Sequence, residues 1–74
     1  MTRHSRDIPD FVFDNLDNLM HEREKHSLTA GRVAEALGVN TDTLHRYENQ
    51  SSLPDRRIYN RLARLFGWQV WKID

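Results

Sequence analysis

Ala30-Gly31-Arg32-Val33-Ala34-Glu35-Ala36-Leu37-Gly38-Val39-Asn40-Thr41-Asp42-Thr43-Leu44-His45-Arg46-Tyr47-Glu48-Asn49 is the stretch whose reading decides the fold. Two short helical patterns meet at Gly38. Val33 and Leu37 share one face of the earlier pattern, and Leu44 and Tyr47 share one face of the later one. Ala34 is small enough to let two helices approach closely. Gly38 tolerates the positive φ with which helices commonly end. Val39 plugs the turn. Leu44 and Tyr47 then point back at Val33 and Leu37, and the face around Thr41, Asp42, His45 and Arg46 is left outward. A lone glycine or alanine would say nothing; the message lies in several independent positions agreeing.

Signals on either side extend the pattern. Thr29 is a good N-cap for the helix that ends at Leu37, and Leu28 with Val33 has the spacing of a hydrophobic staple. Arg32 stands where a capping box would have Glu, so the reciprocal half of that motif is missing. Asn40 caps the next helix, which runs to about Asn49. After a polar loop from Gln50 to Pro54, Asp55 caps a fourth helix, Arg56 to Phe66. Its apolar stripe reads Ile58, Leu62, Leu65 and Phe66, flanked by Tyr59 and Ala63, and Gly67 ends it. Upstream, a first helix begins near Ile8-Pro9-Asp10, because Pro and Asp both suit a first turn. Val12 or Phe13, Leu16, Leu19, Met20 and Arg23 recur along it, and it fades by His26-Ser27. Phe11 and Phe13 cannot share a side, which puts one at an edge or interface. Residues 1–7 read as a flexible polar arm, whose Arg3 and Arg6 suit a minor groove. The tail Trp68-Gln69-Val70-Trp71-Lys72-Ile73-Asp74 suits either a fifth helix or a short strand.

Composition sets limits. Seventy-four residues make one domain, divided into the arm (1–7) and a helical domain (8–74). The absence of cysteine excludes disulfides and thiolate metal sites and fits a cytoplasmic location. No apolar run approaches the ~18 residues of a membrane span. Eleven basic side chains balance eleven acidic ones, but unevenly. Residues 7–24 hold six carboxylates and one arginine, whereas residues 25–74 hold eight basic side chains and five acidic ones. The molecule is therefore dipolar, and its non-specific affinity for nucleic acid should be weak.

With these helices placed, the chain resembles the Cro/repressor-type helix-turn-helix family of phage and bacterial transcriptional regulators. The resemblance is carried by Leu28-Thr29, Val33-Ala34, Leu37-Gly38-Val39, Leu44, Tyr47-Glu48-Asn49, Ser52-Leu53-Pro54-Asp55 and Leu62-Ala63-Arg64-Leu65-Phe66-Gly67. It implies an all-α, lambda-repressor-like bundle of four to five helices that binds double-stranded DNA at an operator, usually as a homodimer. It implies base reading by Thr41, Asp42, Thr43, His45 and Arg46. Arg46 suits guanine O6 and N7, and Asp42 suits cytosine N4. It implies phosphate contacts from Arg23, Thr29, Arg32, Asn49, Arg56 and Arg57, and a bidentate Arg23–Glu48 brace between the first and third helices. Trp68, Val70, Trp71 and Ile73 are the dimer candidates, unless they close the core instead. The family's Gln or Glu at the start of the second helix is replaced by Ala30-Gly31. A weaker resemblance, carried by Thr43 to Glu48 and Leu53-Pro54, is to winged-helix proteins of the mercury-regulator and excisionase type.

Other classes are less well served. His4, His21, His26 and His45 lack metal-ligand spacing, no nucleophile triad is implied, and no glycine-rich phosphate loop is present, so neither an enzyme nor a cofactor is expected. The rival is a protein-interaction module of the same fold, an antitoxin or regulatory adaptor with a protein partner. Neutral charge, the acidic first helix and the aromatic groups Phe11, Trp68 and Trp71 favour it.

Overall fold

A computed structural model of the chain describes residues 8–72. Five helices follow one another: α1 (Asp10–Asp17), α2 (Leu19–Lys25), α3 (Ala30–Leu37), α4 (Thr41–Glu48) and α5 (Arg56–Phe66). There is no strand among the described residues, so the segment after α4 forms a helix and not a wing. None of the helices is long and apolar enough to cross a membrane. The arm and its Arg3 and Arg6, like Ile73, lie outside the described residues.

The helix count of five has an unexpected origin. The single first helix of the sequence reading is two, broken at Asn18. The backbone N–H of Asn18 donates to the Asn15 carbonyl three residues back, at 3.0 Å, and its side-chain amide donates to the Asp14 carbonyl at 3.1 Å. Such local side-chain bonds offer the backbone an alternative to the helical ladder. Leu16 and Leu19 are both fully buried across the break, whereas Met20, counted with the stripe, is 48% exposed. The tail supplies no fifth helix: Trp68 to Lys72 is neither helix nor strand.

The core joins Val12, Leu16 and Leu19 to Val33, Ala34, Leu37, Leu44, Tyr47, Tyr59, Leu62 and Ala63. Each large apolar side chain so buried contributes about 1.5–3 kcal/mol relative to exposure. On α5 the buried line is Tyr59, Leu62 and Ala63; Leu65, assigned to the stripe, is 40% exposed. The stripe was centred about one residue too far round the helix. Tyr59, placed on its flank, is the largest fully buried side chain. Its hydroxyl accepts from Asn15 Nδ2 at 2.7 Å and donates to the Gln69 carbonyl at 3.2 Å. Burial pushes the Tyr59 phenol above its ordinary value of 10.0, against the opposing pull of the Asn15 hydrogen bond.

Four of the helices end alike. After α3, Gly38 at φ +78° lets its N–H reach the Glu35 carbonyl and that of Val39 reach the Ala34 carbonyl. This is a Schellman motif, which satisfies carbonyls left over at a helix end. Gly67 (φ +74°) turns the chain after α5, where the Trp68 N–H bonds to the Ala63 carbonyl. The same geometry follows α2 and α4 without glycine. Ser27 and Gln50, each at φ +59°, occupy the left-handed position, with Leu28 N–H on the Arg23 carbonyl and Ser51 N–H on the Arg46 carbonyl.

The turn at Gly67 lays the tail back on the bundle. Trp68 stacks on Tyr59 with ring centroids 6.0 Å apart, and Trp71 meets Tyr59 edge-on at 6.1 Å. Asn60 clamps the Trp71 backbone at both ends: Oδ1 accepts from its N–H at 2.7 Å, and Nδ2 donates to its carbonyl at 2.9 Å. Val70 packs against the core as well. Of the two roles open to the tail, closing the core is the one these contacts serve.

Candidate nucleic-acid interface

The candidate surface is the outer face of α4, and its placement begins with capping. Asn40 Oδ1 accepts from the Thr43 N–H at 2.8 Å and starts the helix directly after the Gly38-Val39 turn. Leu44 and Tyr47 then fall inward and are buried. Helical periodicity puts Thr41, Asp42, His45 and Arg46 on the other side, and all four are exposed. Thr43 lies at the flank, half-buried. Arg46 makes no side-chain hydrogen bond or ion pair among the described residues, so its five N–H donors face solvent.

A nearly buried charge pair fixes this face relative to the rest of the molecule. Arg23 Nε on α2 donates to Glu48 Oε2 on α4 at 2.6 Å, with the side chains 13% and 5% exposed. Arg23 Nη1 donates to the Leu28 carbonyl at 3.2 Å. The pair joins the expected residues through one carboxylate oxygen, not the bidentate fork. The second donor instead holds the chain that enters α3. The remaining oxygen, Glu48 Oε1, is 3.2 Å from His45 Nδ1, so the outer face of α4 and the brace share one carboxylate. The sequence reading missed this link, although His45 and Glu48 are one helical turn apart, at i, i+3.

The phosphate candidates are spread over four elements. Thr29 Oγ1 accepts from the Arg32 N–H at 3.2 Å, which leaves the hydroxyl hydrogen to donate outward. Asn49 Oδ1 accepts twice from Ser51, from its N–H at 3.0 Å and its hydroxyl at 2.7 Å. That fixes the amide orientation and leaves the Asn49 NH₂ as a donor. Ser51 is thus a positioning residue, invisible until the turn at Gln50 folds it back. Arg56 and Arg57 are exposed at the start of α5. Arg32 is exposed in the first turn of α3 beside Gly31, where an added Cβ would meet nothing within 4 Å. No group of histidines and carboxylates suited to a metal occurs among the described residues.

Comparison with known proteins agrees with this architecture. The model of the helix-turn-helix domain family matches residues 17–70. Over 57 residues the chain is 39% identical to a protein of Sulfurisphaera tokodaii described as "Putative HTH-type transcriptional regulatory protein". The aligned part is 77% of this chain but 19% of that relative, so the chain spans about a fifth of its length. No solved structure matches. The family match takes in α2 to α5 and both glycine turns, and the chain belongs to the helix-turn-helix domain family.

Proposed function

We propose that the chain is a sequence-specific DNA-binding transcriptional regulator whose α4 reads the major groove of an operator. One observation carries this reading: Thr41, Asp42, His45 and Arg46 are exposed together on a helix whose inner side is anchored by Leu44, Tyr47 and the Arg23–Glu48 pair. Arg46 pairs with guanine O6 and N7, Asp42 accepts from cytosine N4, and Thr41, Thr43 and His45 adjust the fit. Thr29, Arg32, Asn49, Arg56 and Arg57 hold the backbone, the last two at a helix start whose free N–H groups also favour phosphate. Arg23 braces first and offers phosphate only the guanidinium hydrogens not given to Glu48 and Leu28. The description of the Sulfurisphaera tokodaii relative as a transcriptional regulatory protein supports regulation as the setting. The protein acts in the cytoplasm and without catalysis. A reading helix this short covers only a few base pairs, so useful specificity needs two copies about one DNA turn apart, roughly 34 Å. Trp68, Val70 and Trp71 are half-buried on their own core, and a dimer built through them would use only their outer edges.

Selection of bound sequences from a random DNA pool at two salt concentrations tests the proposal. Arg46→Ala should lose discrimination at one or two base pairs, by about 1–3 kcal/mol. Arg56→Ala should weaken all sequences alike and flatten the salt dependence. Unchanged DNA binding in both variants would overturn α4 as the reader. It would favour the protein-interaction module, which the zero net charge and the acidic α1–α2 segment support.

A further inference from the structure

His45 stands exposed on α4, and among the described residues its ring is held by one neighbour: Nδ1 lies 3.2 Å from Glu48 Oε1. Glu48 is nearly buried, and its other oxygen accepts from Arg23 Nε at 2.6 Å. An ionised carboxylate only accepts hydrogen bonds, so the bond to His45 requires the imidazole hydrogen on Nδ1. The hydrogen bond at one ring nitrogen thereby decides the state of the other. In the neutral ring Nε2 is left with a lone pair and no hydrogen, and it has no partner among the described residues.

A bare Nε2 can only accept. In the major groove adenine N6 and cytosine N4 donate, whereas guanine and thymine offer acceptors and no donor. Arg46, the next residue, is the reverse: its guanidinium only donates and suits guanine. The two side chains therefore ask for opposite classes of base, and for His45 the choice is set by the carboxylate behind it.

We propose that Glu48 fixes His45 as an acceptor, so that His45 selects adenine or cytosine at the base it meets and rejects guanine and thymine. The inference rests on α4 reading the major groove and adds which bases one of its residues takes. Glu48 is a positioning residue here, since it acts on the base only through the imidazole. Replacing its carboxylate by an amide should invert the choice. In Glu48→Gln the side chain has one oxygen and one NH₂. Arg23 has no acceptor, so the oxygen must face Arg23 and the NH₂ must face His45. Nδ1 then has to accept: it gives its hydrogen to water, Nε2 takes one from water, and His45 meets the base as a donor.

Two measurements on the whole chain test the proposal. Proton–nitrogen NMR of the imidazole at neutral pH, with His45 assigned by the signal lost in His45→Ala, should find the hydrogen on Nδ1 in the parent and on Nε2 in Glu48→Gln. Selection from a random DNA pool should give adenine or cytosine at one position of the parent's site. That preference should vanish in His45→Ala, while the position that depends on Arg46 keeps its own. Relative to cytosine, Glu48→Gln should take guanine or thymine there about tenfold more readily than the parent does. Circular dichroism shows whether Glu48→Gln is folded; if it is not, the parent's tautomer and its His45-dependent base decide alone. A hydrogen on Nε2 in the parent, or a His45-dependent position that favours guanine or thymine, would overturn the proposal. So would a folded Glu48→Gln that weakens binding to all sequences alike with the tautomer unchanged, since Glu48 would then be structural only. If neither Arg46→Ala nor His45→Ala alters DNA binding, α4 is not the reader, and the base assignment falls with that reading whatever the tautomer.

Discussion

The segment from α3 to α5 and the α1–α2 segment hold their shape by different means. Each helix of the former begins at a side-chain cap: Thr29 for α3, Asn40 for α4 and Asp55 for α5. Two of the three end at a left-handed glycine. α1 begins at Pro9 with no side-chain cap, α2 follows the break at Asn18 also without one, and α2 ends on left-handed Ser27. What secures α1–α2 comes from elsewhere in the chain: Tyr59 on Asn15, Gln50 on Asp17 and Glu48 on Arg23. One part is bounded by its own local chemistry, while the other takes its form from partners dozens of residues away.

The largest effect should come from breaking the remote support. Glu48→Ala leaves the Arg23 guanidinium nearly buried without its carboxylate, and a loss of about 3 kcal/mol in denaturant unfolding is expected. Amide exchange should quicken first in α2. A loss within a few tenths of a kcal/mol would show that α1–α2 does not depend on the brace. Gly38→Ala comes next, at about 2 kcal/mol, because an L side chain resists the left-handed conformation. An added Cβ would also lie 3.1 Å from Arg61 Nη1, which caps the Leu37 carbonyl. A thermal melt near the parent's would mean that the turn rebuilds without glycine. Removing a local cap by Asn40→Ala should cost about 1 kcal/mol and leave α1–α2 exchange unchanged relative to the rest. Ser27→Gly should act in the opposite direction. Relief of the left-handed serine stabilises by about 1 kcal/mol or less, after the entropy glycine adds to the unfolded chain. Destabilisation there would show that the Ser27 side chain has a role its exposure does not suggest.

The same contrast explains how much could be read beforehand. The boundaries of α3, α4 and α5, their caps and both glycine turns were legible because each depends on residues within one helical turn. The outward set Thr41, Asp42, His45 and Arg46 followed from 3.6-residue periodicity once Leu44 and Tyr47 were known to face inward. The Arg23–Glu48 contact was legible only through the family resemblance, since no local rule links residues 25 apart. The break at Asn18 was missed because apolar spacing runs on across it. The exposure of Met20 and Leu65 was missed because both sit at the border of an apolar stripe. There, the neighbouring element decides which residue is covered.

Sequence by itself determined an all-α chain with capped helices, a glycine-hinged pair and a polar outer face on its second member. Capping, glycine conformation and amphipathic spacing act over a few residues and need no knowledge of the rest. Tertiary structure alone decided that Tyr59 is the centre of the core, that the tail closes over it through Asn60, and that Ser27 and Gln50 take left-handed turns. It also decided that Glu48 serves both Arg23 and His45. The place of Tyr59, the cover held by Asn60 and the pairing of Glu48 with Arg23 are agreements between distant segments over space, hydrogen-bond partners and charge, and those agreements exist only once the segments have met.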